Sequence, residues 1–337
     1  MKNGYKHFFL RIVGIIGIAI LSIIAFNFLN DEFCVFQKIS QNEINKKKFW
    51  PNERLLKTRY ILKNPDKYDS FIMGSSKVNK MNVSDLKGGK WYNDCLAMNT
   101  LDETLSLLKV FDTNGVKIKN IVLQMSDENF REHEIGYFEY FDKNMIYARY
   151  PISPIEKIYC YGWYLLVIPD FSENKRDIYS QSCKDNVLKD GSCTYLPSEK
   201  YQVKLDGHNP EKFVNLPNAD DVGKYNEYWK KPFSEIVKFC NERNIRMTVF
   251  ITPETYDLYK TYVLKSAQKA RKDLASFVSF YDFAGKNDVT ENHDYFYDHY
   301  HFNEYTSLLI KDRIFNQKPQ DKPKIKNFGT FIEKNSL

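Results

Sequence analysis

Ser76, His301 and Asp298 are residues whose types and placement could carry covalent chemistry. The serine closes Tyr68-Asp69-Ser70-Phe71-Ile72-Met73-Gly74-Ser75-Ser76-Lys77, an apolar run that stops at a glycine and two hydroxyls. Lys77 to Lys87 carries no second strand signal. The stretch therefore reads as a buried strand turning into a helix at the carboxyl edge of a parallel sheet, where sites of open α/β sheets form. Gly74 lets the backbone turn with φ > 0, and amides beyond it can hold an oxyanion while a serine points into the cleft. Gly-Ser-Ser is also ordinary turn chemistry. Ser75 competes for the role of nucleophile, but the Gly-x-Ser spacing favours Ser76.

A serine needs a base to take its proton and a carboxylate to orient that base. Three of the six histidines crowd into Asn292-His293-Asp294-Tyr295-Phe296-Tyr297-Asp298-His299-Tyr300-His301-Phe302-Asn303-Glu304. Asp298 and His301 precede an apolar, helix-like run from Tyr305 to Phe315, so one turn can aim both into the same cleft. His293, His299 and His301 with Asp294 and Asp298 also have the types for a cation site. A metal leaves Ser76 unexplained, so the expectation is a Ser-His-Asp triad with no metal and no cofactor.

Short apolar runs at 71–73, 91–96, 121–125, 247–251 and 278–281 read as strands. Helical patterns at 101–111, 233–240 and 256–274 alternate with them. The expected fold class is α/β, a three-layer sandwich around a mostly parallel sheet of about five strands. The catalytic domain is expected over 67–316, with an insertion at about 130–221 where the strand-helix repeat breaks. Tyr137-Phe138-Glu139-Tyr140-Phe141 and Tyr159 to Leu166 give that insertion an aromatic character, read first as its own small core.

The uncharged run from Ile12 to Leu29 follows Lys2, Lys6 and Arg11 and precedes Asp31 and Glu32. Its length matches a bilayer core, and the basic flank predicts a cytoplasmic tail (1–11), an uncleaved anchor (12–30) and an extracytoplasmic remainder. Residues 31–66 read as a lysine-rich juxtamembrane stalk and 317–337 as a frayed tail. The net charge of +6 over 337 residues is modest. No basic block interleaves with aromatics, so nucleic acid is not expected as a partner. Cys183 and Cys193 bracket a short loop and suit a local disulfide in an oxidising compartment, or free thiols elsewhere; Cys95 and Cys240 read as packed core.

Gly74-x-Ser76 after the first strand, with Asp298-x-x-His301 before the last helix, resembles the SGNH/GDSL hydrolase superfamily. The likeness is to its membrane-anchored envelope branch, which includes the D-alanyl transfer protein of teichoic acids and the peptidoglycan and alginate O-acetylation proteins. It covers the two outer motifs and the strand order between them, not the middle third. The resemblance implies Ser76 as nucleophile, His301 as base and Asp298 as orienting acid, with Ser76, Met98 and Asn129 around the oxyanion. Two positions depart from the family pattern. Ala97 or Met98 stands where a glycine is usual, and the Gly-x-Asn-Asp motif is missing after the third strand, with Asn129 one place late for the amide donor.

The resemblance implies a serine acyltransferase or esterase acting on O-acyl groups of cell-envelope polysaccharide. Its substrate partner would be the polysaccharide or an acyl ester, with a membrane-bound O-acyltransferase as a possible second partner. Two other readings stay open. One is a free-standing deacetylase or lipid esterase; the other is a non-catalytic scaffold or binding partner of a membrane O-acyltransferase that keeps the fold.

Overall fold

The computed structural model describes residues 2–31, 34–36, 40–46, 53–130, 153–166, 183–193, 225–262, 264–315 and 327–337, with Leu216 and Ile325 besides. The aromatic stretch 137–141 lies outside the described residues. The protein is a mixed α/β structure with one six-stranded sheet, in the order β2-β1-β3-β4-β5-β6. The strands are β1 (Ser70–Gly74), β2 (Trp91–Cys95), β3 (Asn120–Met125), β4 (Arg246–Ile251), β5 (Phe280–Asp282) and β6 (Thr330–Ile332). The first five run parallel. β6 pairs antiparallel with β5, setting Phe280 opposite Ile332 and Tyr281 opposite Phe331. The sheet thus exceeds the five strands expected, because Thr330–Ile332, within the stretch read as a frayed tail, closes its edge.

Side chains alternate between the sheet faces, as a period of two requires. Phe71, Met73, Tyr92, Ile121, Leu123, Val249, Ile251 and Phe280 enter one core. There they meet α3 (Glu53–Lys63), α4 (Leu101–Thr113), α6 (Lys230–Glu242) and α8 (Leu264–Phe277). Ile72, Trp91, Val122 and Phe250 enter the other core, against α9 (Glu304–Phe315) and irregular chain around Val78 to Leu86 and Val289 to Phe302. In α4 the buried Leu101, Leu105, Leu108 and Phe111 form one stripe at helical spacing. Thr100 caps that helix, accepting from the Glu103 amide at 3.2 Å. The run expected as one helix over 256–274 is two, α7 (Tyr256–Tyr262) and α8.

The strand-to-helix turn expected after β1 is different in kind. Only a single 3-10 turn, Ser76–Val78, follows Ser75, and the chain then stays irregular up to β2. Its backbone polar groups are met by side chains instead of a helical ladder. Asn93 Nδ2 donates to the carbonyls of Val78 (2.8 Å) and Met81 (2.9 Å). Ser307 and the buried Lys311 of α9 donate to those of Lys80 and Asn82, and the Cys193 amide donates to that of Asn79.

In the stretch expected as a stalk, the described helices pack into the domain. Leu55, Leu56 and Ile61 of α3 are fully buried, and Ile44 of α2 (Gln41–Lys46) packs with Cys34, Leu56 and Val187. Its lysines and arginines suggested solvent, yet Arg54 and Lys57 are buried and fully used (below). α1 runs unbroken from Lys2 to Asn30, so the residues read as a cytoplasmic tail continue the helix. From Gly4 to Asn30 it is long and apolar enough to cross a membrane. Cys183 and Cys193 are joined in a disulfide, while Cys95 and Cys240 are free thiols in the core.

Candidate active site

The exits of β1 to β4 meet at one edge of the sheet. The Leu96 amide donates to the Gly74 carbonyl (2.9 Å) and the Thr252 amide to that of Met125 (2.9 Å), so the exit of β2 is stitched to that of β1 and the exit of β4 to that of β3. Gly74 does not take the left-handed backbone expected of it; it is absent from the positive-φ glycines. It is needed for space. A Cβ there would lie 2.6 Å from Gln124 Cβ, and the Gln124 side chain passes beneath it to accept from the Ser75 amide at 2.7 Å.

Ser75 caps the following 3-10 turn, its Oγ facing the Lys77 amide at 3.5 Å. Ser76 is thus the hydroxyl turned to the histidine. Its Oγ lies 3.0 Å from His301 Nε2, and His301 Nδ1 lies 2.9 and 3.0 Å from the two Asp298 oxygens. An ionised carboxylate only accepts, so Nδ1 carries the proton and Nε2 is left to accept from the Ser76 hydroxyl. Asp298 Oδ1 also accepts from the amides of Tyr300 and His301, each at 2.8 Å. Burial opposes the charge of Asp298, but the His301 bond and charge and these two amides outweigh it, holding the carboxyl below its usual range.

The histidine loop is pinned on both sides. Asn303 caps α9 by accepting from the Thr306 amide (3.0 Å), and its Nδ2 donates to the Asp294 carbonyl (2.7 Å). The Tyr297 amide donates to the His301 carbonyl at 2.8 Å. His299 and His293, the other members of the histidine cluster, have different duties. His299 Nδ1 pairs with Thr255 Oγ1 at 2.6 Å, and His293 Nε2 with Asp257 at 3.1 Å.

The two remaining expected positions flank β1. Met98, after β2, adopts φ +52°, the left-handed conformation in which a glycine costs least. Its backbone amide donates to no group among the described residues. Asn129, after β3, turns its Oδ1 back to the Ser126 amide (2.7 Å) and hydroxyl (3.2 Å). Its side-chain amide nitrogen is the end left to donate.

Sequence reasoning missed two buried charge groups that hold these loops. Lys77, beside Ser76, is 3 % exposed and pairs with Glu254 and, at 3.3 Å, with Glu128. Burial disfavours its charge, but the two carboxylates more than compensate and hold it as an ammonium. Behind the loop after β2, Arg54 makes a forked pair with Glu103 at 2.7 and 3.0 Å and donates to the Ala97 carbonyl at 2.6 Å. Lys57 donates to the carbonyls of Asn93 (3.1 Å) and Cys95 (2.8 Å). Between them, burial pushes the Asp94 carboxyl up to about 7, and neither of its oxygens has a hydrogen-bond partner among the described residues. The one available signal was a run of charges within a helix-length apolar pattern, which reads equally well as a solvated face.

A cleft of about 610 Å³ lined by Lys87, Gly88, Trp91, Asn120 and Arg246 opens where β2, β3 and β4 begin. Ser76 and His301 stand at the opposite edge, so this cleft does not serve the triad. Comparison with known families and with curated proteins gave no match to this chain.

Proposed function

We propose that this protein is a membrane-anchored serine acyltransferase or esterase acting on O-acyl groups of envelope polysaccharide, with a three-layer sandwich of the SGNH type around its sheet. The single observation that carries the reading is the hydrogen-bonded line from Ser76 through His301 to Asp298. In it, Ser76 Oγ attacks the acyl carbonyl while His301 Nε2 takes the hydroxyl proton. Asp298 stabilises the imidazolium, which returns that proton to the departing alkoxide and leaves the acyl group on Ser76. A sugar hydroxyl, or water, then attacks the acyl-enzyme with His301 again as base. The backbone amide of Met98 and the side chain of Asn129 are the donors assigned to the oxyanion.

The uncharged span of α1 supports a single-pass anchor, and the Cys183–Cys193 disulfide supports placing the domain on the extracytoplasmic, oxidising side. A membrane-bound O-acyltransferase is the partner this reading calls for as acyl donor.

Treating the folded full-length chain with a serine-directed fluorophosphonate and locating the adduct by mass spectrometry tests the assignment. A single adduct on Ser76, absent in Ser76→Ala, is expected, together with p-nitrophenyl acetate turnover. A folded protein that takes up no label is a non-catalytic scaffold. Transfer of the acyl group to an oligosaccharide separates a transferase from a hydrolase.

A further inference from the structure

The helix α5 (Pro154–Leu166), within the expected insertion, has two apolar faces, and only one of them is covered among the described residues. On the covered face Cys160 and Tyr164 are buried. Tyr164 clusters with Val35 and with Leu55 of α3, and Phe36 lies against the rings of Tyr161 and Tyr164. The other face carries Ile155 (80 % exposed), Ile158 (75 %), Tyr159, Trp163 and Leu166. These recur at three- and four-residue intervals, so they form one stripe along the helix.

α5 packs against α1, and the contact has a defined level. Asn27, three residues before the end of α1, is buried, and its Nδ2 donates to the Leu165 carbonyl at 2.9 Å and faces that of Tyr164 at 3.4 Å. The last carbonyls of a helix have no partner within it, and leaving them bare away from water is costly. The side-chain amide of α1 meets them where α1 approaches the end of its apolar span.

We propose that α5 is a second membrane contact, lying in the headgroup and acyl boundary of the bilayer beside the end of α1 with the Ile155–Ile158–Trp163 stripe against lipid. The occupant is assigned by adjacency: α1 exposes apolar side chains such as Ile15, Ile16, Ile18 and Leu21, which face lipid in a spanning helix, and α5, packed against α1, exposes apolar side chains of its own. Tyr159 and Trp163 are of the aromatic types that favour this depth. At about 1.5 Å per residue, α5 would extend for about 20 Å. Its covered face reaches α3, whose Arg54 holds the loop after β2, so the catalytic edge and the bilayer are joined through one helix. The proposal rests on α1 crossing the membrane and not on the chemistry assigned to Ser76.

The test uses the full-length chain in phosphatidylcholine–phosphatidylglycerol vesicles, with an environment-sensitive fluorophore on Ile158→Cys, and in parallel on Ile155→Cys. Cys34, Cys95, Cys160 and Cys240 are buried, so labelling under native conditions favours the new thiol. Controls carry the label on Ile16→Cys in α1 and on Lys238→Cys, an exposed position of α6. The expected result at both α5 sites is a blue-shifted emission, quenched by shallow doxyl lipid and several-fold less sensitive to aqueous iodide than at Lys238. Iodide quenching at both α5 sites equal to that at Lys238 overturns the proposal, whatever Ile16 reports. If Ile16 is lipid-protected in that case, the anchor reading survives and the stripe belongs to a protein partner absent from the vesicles.

Discussion

The buried ammonium of Lys77 is bound by the carboxylate of Glu254, a residue 177 positions further along the chain. Lys77 directly follows Ser76, and Thr255, next to Glu254, is bonded to His299 through both side chain and backbone. The pair therefore ties the serine turn, the β4 exit and the histidine loop into one frame. Removing Lys77 alone leaves a carboxylate buried without its cation, a change that typically costs about 3–5 kcal/mol. Lys77→Met is expected to lose that much in urea denaturation, and Lys77→Met with Glu254→Leu to recover most of it. Turnover of p-nitrophenyl acetate should stay low in the double variant, mainly through kcat, because the frame and not the bulk fold is what it lacks. A single variant as stable as the parent would show that the pair does not hold the turn.

Asp298 gives its charge to His301 and its Oδ1 to two backbone amides. Asn keeps an acceptor for those amides but presents an NH₂ group toward Nδ1, which selects the wrong imidazole tautomer. Asp298→Asn is expected to fold normally and to lose about 10⁴-fold in kcat. Because the folded carboxyl sits below its ordinary value, its ionised form contributes stability above about pH 4 that is lost as pH falls through the lower folded value. Asp298→Asn should therefore flatten the acid end of the stability curve. Retention of near-parent turnover in the variant would remove Asp298 from the triad.

Gly74 is held to glycine by Gln124 and not by its own backbone. A methyl group there would meet Gln124 Cβ at 2.6 Å, an atom that cannot swing away as a side-chain tip can. Gly74→Ala is expected to cost about 1–3 kcal/mol as overpacking and to lower fluorophosphonate labelling of Ser76 by displacing the Ser75 amide from Gln124. Gln124→Gly in the same background removes that Cβ and should recover stability in thermal melts. If the double variant is no more stable than Gly74→Ala, the crowding argument is wrong.

The strands were legible because each is a short apolar run broken by polar residues, and Ser76, Asp298 and His301 because their spacing around a strand end and a helix start is local. What was hidden depends on partners distant in sequence. Gln124 and Asn93 are polar residues inside strands, and nothing in their neighbourhood says that one passes under Gly74 and the other holds Val78 and Met81. Arg54 and Lys57 looked like the charges of a solvated stalk because burial of a cation shows only with its acceptors, and those lie on β2 and in the loop after it. β6 was missed for a related reason: three residues in a lysine-rich tail carry no period, and only pairing with β5 makes them a strand.

Asp94 sets the last expectation. Its carboxyl is fully buried on β2, pushed up to about 7 chiefly by burial, with Glu103 and Glu53 adding to the shift and Lys57 and Arg54 opposing it. The folded state therefore holds a proton that the unfolded chain, with an ordinary aspartate, releases near pH 4. Between those values the native state binds more protons, so this group makes stability fall as pH rises from about 4 to about 7 and contributes no further slope above that. An amide is close in shape to the protonated acid but has no charge to desolvate. Asp94→Asn should match the parent near pH 4 and exceed it at pH 8, by at most about 4 kcal/mol at 1.36 kcal/mol per pKa unit. Urea midpoints across that range, with the disulfide intact in both proteins, read the difference directly. Parallel pH profiles for the two proteins would mean that Asp94 is ionised in the fold throughout, with Lys57 as its countercharge.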